Sequence, residues 1–258
     1  MNAMLRSFFA AISCTALLLG SAFAAPADPA GQSLNSTPAA ASTNVANMFG
    51  IGVKASLLGV GAEVATRVTH HSNVRAGFNI LGYSRGFSKD GIDYNGHLSF
   101  RTVEAHYDYF PWARSFHLGP GVLYYIGNPV TANALVPSNQ SFTLGSQTYY
   151  SDPSAPVSAG GRVNFNQVSP MATFGWGNLV RENRRFSIPV EFGVAFQGSP
   201  KTTLNLSGSV CTSPGLNCTS TASSSVQTNV VAEQGRINKS MSPFKAYPII
   251  SVGFGYKF

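Results

Sequence analysis

From Phe49 to the last residue, apolar and polar positions alternate with a period of two. In the final stretch Ile250, Val252, Phe254, Tyr256 and Phe258 are apolar, and Ser251, Gly253, Gly255 and Lys257 between them are polar or small. Successive side chains of a strand point to opposite faces, so one face is greasy and the other is not. The same spacing marks Val74, Ala76, Phe78 and Ile80 against Arg75 and Asn79, and Val103, Ala105, Tyr107 and Tyr109 against Glu104, His106 and Asp108. It predicts strands over 58–68, 73–85, 97–110, 115–126, 163–178, 186–198 and 245–258, the fifth marked by Val168, Ala172, Phe174 and Trp176 and the next alternating unbroken from Phe186 to Phe196. One irregularity stands out. From His97 to Arg101 the alternation runs in the opposite phase, which implies either a bulge near Arg101-Thr102 or a portion standing above a membrane.

The connections between these strands alternate between short (69–73, 111–115, 181–185) and long (86–96, 127–161, 198–243). Transmembrane barrels have short periplasmic turns and long outer loops, which assigns the sides. The last strand then runs inward. A chain entering from the periplasm and ending there needs an even strand count. The missing strand is 48–56, with Ile51, Val53 and Ala55 opposite Lys54, reversing near Ser56-Leu57. The expected architecture is an all-β, transmembrane, antiparallel up-and-down barrel of eight strands. The loop 127–161 is Pro-, Ser- and Asn-rich, with a short hairpin at Phe142–Tyr149. The loop 198–243 carries one helix, Ser225–Met241, whose Val226, Val230, Ile237 and Met241 make a single stripe ended by Pro243.

Composition narrows the class. Charged residues are only 10% of the 258, against a usual share of about 25%, and there are 26 glycines and 18 phenylalanines. Residues 1–24 read as a secretory signal: Arg6 in the n-region, an apolar run from Phe8 to Gly20, and an Ala22-Phe23-Ala24 cleavage site. A lipoprotein reading at Cys14 would leave most of the apolar run after the cysteine, the wrong order. Residues 25–47 read as a flexible periplasmic lead-in, and 48–258 as the barrel. No other segment reaches the length of a membrane helix. Arg6 leaves with the signal, so 17 basic residues become 16 against 10 acidic, a net +6. They are scattered, which argues against a nucleic-acid partner. Cys211 and Cys218 remain as an even pair in an exported chain, which favours a disulfide.

An eight-stranded barrel is just wide enough for side chains to fill it. The inward positions carry Lys54, Arg67, Arg75 and Lys257 against Glu63, Glu104, Asp108 and Glu191, a balanced set. Buried charge must be paired, so the plain reading is a salt-bridged plug that fixes register. The sharper readings are a gated narrow path or a cluster of shifted pKa values. Tyr107, Tyr109, Trp112, Tyr124, Trp176 and Tyr256 lie near strand ends, as an interfacial girdle requires. Gly82-Tyr-Ser-Arg-Gly86 spells G-x-S-x-G, but no helix follows it, so it reads as chance. His70-His71 sit in a turn without a second ligand group, and no metal or cofactor is expected.

The signal, the alternating strands and the terminal Gly253-Phe-Gly-Tyr-Lys-Phe258 resemble bacterial outer-membrane β-barrel proteins. Within that group, Gly59-Val-Gly-Ala-Glu63, Asn73-Val-Arg-Ala-Gly-Phe78 and Tyr247-Pro-Ile-Ile-Ser-Val-Gly-Phe254 are similar to a family of largely uncharacterised barrels related to the OmpA and OmpW types. The resemblance covers 48–258. It implies outer-membrane lipid as a partner, and Phe254, Tyr256 and Phe258 as a signal read by the barrel-assembly machinery. No OmpA-type peptidoglycan-binding domain is expected after the barrel strand.

The function expected is a non-enzymatic outer-membrane barrel: structural, binding an extracellular ligand through loops 127–161 and 198–243, or a narrow porin-like channel. One alternative is a lipid-modifying enzyme, for which His97, Ser99 and Arg101 are the nearest candidates. Another is a soluble periplasmic ligand-binding barrel.

Overall fold

The alternating segments are strands of one closed barrel in the computed structural model, which describes residues 48–112, 115–127 and 130–258. The signal 1–24 and the lead-in 25–47 lie outside the described residues. The strands are β1 (Phe49–Ser56), β2 (Gly59–Thr69), β3 (Ser72–Lys89), β4 (Ile92–Tyr109), β5 (Phe116–Tyr125), β6 (Val130–Leu135), β7 (Ser141–Leu144), β8 (Gln147–Ser151), β9 (Ser158–Asn164), β10 (Val168–Trp176), β11 (Phe186–Ser187), β12 (Val190–Phe196), β13 (Lys201–Ser207), β14 (Ser209–Ser213), β15 (Leu216–Ser220) and β16 (Ala246–Lys257). Among the described residues one α-helix, α1 (Ser224–Met241), lies between the last two strands.

Eight of these strands close the barrel, each antiparallel to the next in the order β1, β2, β3, β4, β5, β10, β12, β16 and back to β1. Closure leaves no free sheet edge, the hazard that open sheets must cover. The first strand, inferred only from parity, is real. Its reversal at Leu57-Leu58 is tight because Ser56 Oγ accepts from Leu58 N at 3.1 Å and donates to Gly59 O at 3.1 Å. Gly59 takes φ +105°, and a Cβ there would sit 2.0 Å from the Ile80 carbonyl oxygen.

Four expectations need correction. The loop at 86–96 is not a loop: β3 and β4 continue as a ladder to Lys89↔Ile92 and turn at Asp90-Gly91, both at positive φ (53° and 74°). The bulge near Arg101-Thr102 is absent, since the register from Ser72↔Tyr109 to Lys89↔Ile92 has no shift. The strand expected over 163–178 is two strands, β9 and β10, on either side of Asn166. The unbroken run from 186 is likewise interrupted at Pro189, which has no N–H to give to a ladder. Register with β16 is nevertheless kept across the break.

One end of the barrel has short turns. The other carries a folded cap. There β4 leaves β5 after Thr102 and pairs β6 from Leu98 onward, and β9 and β13 extend that sheet. A second sheet runs β15, β14, β8, β7. The hairpin at 142–149 is β7–β8 of that sheet. Helix α1 packs beside β13 and β7. Cys211 and Cys218 face each other across β14–β15 and form a disulfide.

Candidate functional site

The barrel interior is built in three layers. At the turn end, Leu179 and Val180 fold back into the mouth and join Ala65 in a small apolar cluster, with Phe110 also buried. Small residues on β1 and β16 make room for them. A Cβ at Gly50 would lie 2.4 Å from Leu179 O, and one at Gly255 would lie 2.0 Å from Leu179 Cδ2. The Gly-x-Gly pairs at 50/52 and 253/255 therefore serve packing. At the cap end, Leu58, Leu98, Phe100, Leu123, Tyr125, Met171, Ala195, Tyr247 and Ile249 form an apolar core. Tyr247 donates its hydroxyl to Leu57 O (2.8 Å) and Tyr125 to Gln197 Oε1 (3.0 Å), so neither polar tip is stranded there.

Between the two apolar layers lies the charge cluster. Arg75 from β3 is its centre. It forks onto Asp108 (Nε–Oδ2 2.9 Å, Nη2–Oδ1 3.1 Å), reaches Glu63 (3.0 Å) and bonds Glu191. Lys54 donates to Glu104 and lies 3.5 Å from Glu63. The six residues come from five strands, Glu104 and Asp108 both from β4, so the network ties β1, β2, β3, β4 and β12 in one register. The neighbouring inward residues are small for the same reason as at the mouth. A Cβ at Gly119 would meet Asp108 Oδ1 at 2.8 Å, and one at Gly77 would meet Glu104 Oε1 at 2.8 Å.

Lys54, Glu63, Arg75, Glu104, Asp108 and Glu191 are thus brought together, all at most 8% exposed. Arg67 is not. It stands where β2 leaves the barrel, beside the register shift at Arg67/Thr69, and pairs with Glu182 of the 177–185 turn. Lys257 also stays at the mouth, donating to Arg181 O at 3.3 Å. The interior is therefore not charge-balanced by lysine and arginine. Two cations face four carboxylates.

Two histidines fill the difference in position. His117 Nε2 is 3.0 Å from Glu191 Oε1, and His106 Nε2 is 3.7 Å from Glu104 Oε1. Sequence reasoning left both out of the cluster, although His106 shares its phase with Glu104 and Asp108. Parity was the signal that would have found it. Asp108, His117 and Glu191 offer ligand atoms within 4.8 Å of one another, but Arg75 already occupies both carboxylates, taking the place of a metal cation. The void left among these groups is about 10 Å³, room for roughly one water.

The outward face inverts this chemistry. Val53, Val60, Phe78, Val103, Val122 and Val252 are all exposed on the barrel wall. Near the turn end an aromatic chain runs Trp112–Phe116–Trp176–Phe174–Phe192, and another runs Phe254–Phe186–Tyr256–Phe258. Phe254, Tyr256 and Phe258 belong to this outer surface. Tyr107 and Tyr109 join it at that end, while Tyr124 stands nearer the cap.

The cap has its own apolar core, which includes Ile92, Val136, Tyr149, Val157, Val226 and Val230. The stripe of α1 contains one residue that its hydrophobic pattern does not announce. Glu233 is 5% exposed, accepts from Gly145 N (3.1 Å) and pairs with Arg236 (3.0 Å). Burial and Asp90 push the Tyr94 hydroxyl above its ordinary range. Ser154, donating from both side chain and backbone, holds the Asp152 carboxyl below its own.

On the outer side of the β3–β4 hairpin, Ser84 Oγ lies 2.6 Å from His97 Nδ1. Ser84 is the serine of the G-x-S-x-G spelling, and His97 was an enzyme candidate on other grounds. Counting back equally from the Asp90-Gly91 turn pairs them. No carboxylate among the described residues hydrogen-bonds His97. Ser99 and Arg101 lie further along the same outer face, Arg101 exposed.

Two solved structures share this architecture. The Acinetobacter baumannii CarO crystal structure superposes with a TM-score of 0.50 at 20% identity, covering 81% of this chain and 97% of that one. The chain resembles CarO in fold. Acinetobacter baumannii CarO2 gives the same TM-score at 16% identity, covering 81% and 98%. No family model and no curated protein matches the chain.

Proposed function

We propose that the protein is an outer-membrane barrel that does not conduct and that holds a folded cap outside the membrane as a binding surface. One observation carries this reading: exposed Val, Ile and Phe girdle the outside of a barrel whose inside holds Lys54, Arg75 and four carboxylates. In water that arrangement exposes what should be buried and buries what should be solvated. In lipid both choices are favourable. The turn end is then periplasmic and the cap extracellular. The resemblance in fold to the two CarO proteins supports a barrel of this type.

The filled interior argues against a channel. Apolar layers close both ends, and the charged middle leaves space for about one water. Binding therefore falls to the cap, the sheets and helix within 130–241. The test is planar-bilayer conductance of refolded protein after confirmed insertion into vesicles. Insertion with no channel-sized steps is expected. Steady conductance steps would overturn the plugged barrel, and a mature chain that stays folded and soluble without detergent would overturn the membrane assignment.

The Ser84–His97 hydrogen bond favours a second reading, a lipid-modifying enzyme at the outer rim. It lacks a carboxylate to orient the histidine, which the triad logic requires. A serine-directed fluorophosphonate that labels the wild type but not Ser84→Ala would establish this reading, and absence of labelling would remove it.

A further inference from the structure

The turn end of the barrel is basic where it is exposed. Arg67, Arg181, Arg184, Arg185 and Lys257 lie there, and Glu182 is the one acidic residue among the described residues of that rim. Glu182 is already engaged, by Arg67 and, at 3.5 Å, by His70. No described carboxylate lies within ion-pair distance of Arg181 or Arg184. These two arginines line a pocket of about 410 Å³ on the outer wall. Its polar side also presents Ser115, and Arg181 Nη1 donates to Ser115 Oγ at 3.1 Å, which aims the guanidinium across the pocket's rim. Ser187 Oγ is buried on the inward side of its strand, 3.0 Å from where a Cβ at Gly255 would sit, so the hydroxyl itself faces the barrel mouth and not the pocket. The other side is apolar, formed by Trp176, Phe186 and Ile188, which are 50%, 60% and 67% exposed.

A ligand for this pocket must therefore be anionic at one end and greasy at the other. Guanidinium forks match the oxygens of a phosphate and bind them bidentately. The aromatic side continues directly into the outward belt along Phe186, Phe254 and Tyr256, so chains attached to the anion lie where the belt already lies. We infer that the pocket between Arg181, Arg184 and Ser115 holds the phosphate headgroup of an anionic phospholipid of the periplasmic leaflet, with its acyl chains along Trp176, Phe186 and Ile188. This rests on the membrane reading above. It adds a specific lipid contact that a greasy wall alone does not require, and it gives the basic rim a role in seating the barrel at a fixed depth.

The experiment uses the whole mature protein refolded in neutral maltoside micelles. Native mass spectrometry counts retained lipid after addition of phosphatidylglycerol or phosphatidylcholine, with inorganic phosphate and glycerol phosphate as competitors. The variants are Arg181→Gln with Arg184→Gln, and as a charge-matched control Lys239→Gln with Lys245→Gln at the cap end. The wild type should retain phosphatidylglycerol over phosphatidylcholine by roughly tenfold, as two basic groups near an anionic surface allow. The arginine pair variant should lose this preference and the lysine pair variant should keep it. Equal retention by wild type and arginine variant overturns the site, and so does an equal loss in the lysine variant. Displacement by inorganic phosphate at the lipid's own concentration would make this a free-phosphate site and overturn the lipid assignment. Insertion into phosphatidylcholine vesicles is scored separately by the mobility shift of the folded barrel. Failure there sinks the membrane reading, whereas insertion without headgroup preference sinks only the pocket.

Discussion

Strand β4 passes through two regions that use the same geometry for opposite chemistry. Below Thr102 its inward residues are Glu104, His106 and Asp108, all buried, and its outward residues Val103, Tyr107 and Tyr109 are exposed. Above Thr102 the inward residues are Phe100, Leu98 and Ile92, and the outward ones include Arg101, His97 and Asp93. The ladder with β3 has no shift between the two parts. The direction of each side chain is therefore constant and only the surroundings change. The cap has an apolar core and a polar outside. The barrel below it has a charged middle layer and an apolar outside. On the membrane reading proposed above, the residue where the two patterns meet marks the height at which the protein's solvent changes from water to lipid.

The largest way to break this contrast is to leave the barrel's polar core without its central cation. Arg75 holds Glu63, Asp108 and Glu191 together, so Arg75→Met takes the shared cation from three buried carboxylates, leaving Glu63 with Lys54 alone, Glu191 with His117, and Asp108 without its ion pair. Removing one partner of a buried network costs about 3–5 kcal/mol, because the remaining charges stay unpaired. Equilibrium urea unfolding in lipid vesicles should show at least that loss, and the folded-barrel mobility shift on a gel should weaken or vanish. A variant as stable as the wild type would mean the carboxylates are already neutral and the cluster is not an ion network.

The next test reads the outer wall. Val53 lies midway along β1 and is 61% exposed. An arginine on the lipid face near the bilayer midplane costs about 2–4 kcal/mol, whereas the same change on a wetted strand costs little. Val53→Arg should therefore destabilise the vesicle-inserted barrel by that amount in the same urea titration. A cost below about 0.5 kcal/mol would place this wall in water, since ordinary surface substitutions fall in that range.

Much of the barrel was legible because alternation is a local property of the chain. Each wall strand declares its two faces within a few residues, and parity alone demanded the strand before Ser56. The cap was not legible for the opposite reason. Its strands β6, β9 and β13 are short, rich in Ser, Asn, Thr and Gly, and acquire a buried face only through partners far away in sequence. The interior cluster was half legible. Phase picked out Lys54, Glu63, Arg75, Glu104, Asp108 and Glu191, but phase does not report height. Arg67 and Lys257 share the inward parity and still end at the mouth, where a long side chain finds Glu182 or a backbone carbonyl more easily than the crowded centre. The Leu179–Val180 plug fell between the strand expected to end at 178 and the charged turn expected at 181–185. Only the space left by Gly50 and Gly255 gives it away.

The smallest expected effect sharpens the comparison most, because it asks β4 itself where the boundary lies. Arg101 and Val103 are two residues apart on one outward face, one on each side of Thr102, and both are exposed. If lipid ends near this level, Arg101→Val gains no lipid contact worth having and loses little hydration, so its stability should change by less than about 0.5 kcal/mol. Val103→Arg, although nearer the interface than Val53, should cost more, because side-chain charge on the lipid face is penalised with depth and the penalty fades only at the interface. The pair should therefore be asymmetric, with the arginine tolerated above and resisted below. If Arg101→Val stabilises the inserted protein by more than 1 kcal/mol, lipid reaches higher up the hairpin than the change of pattern implies. The inversion along β4 would then reflect the packing of the barrel's upper apolar layer around Leu98 and Phe100, and the outward residues would have to be explained by something other than the solvent they face.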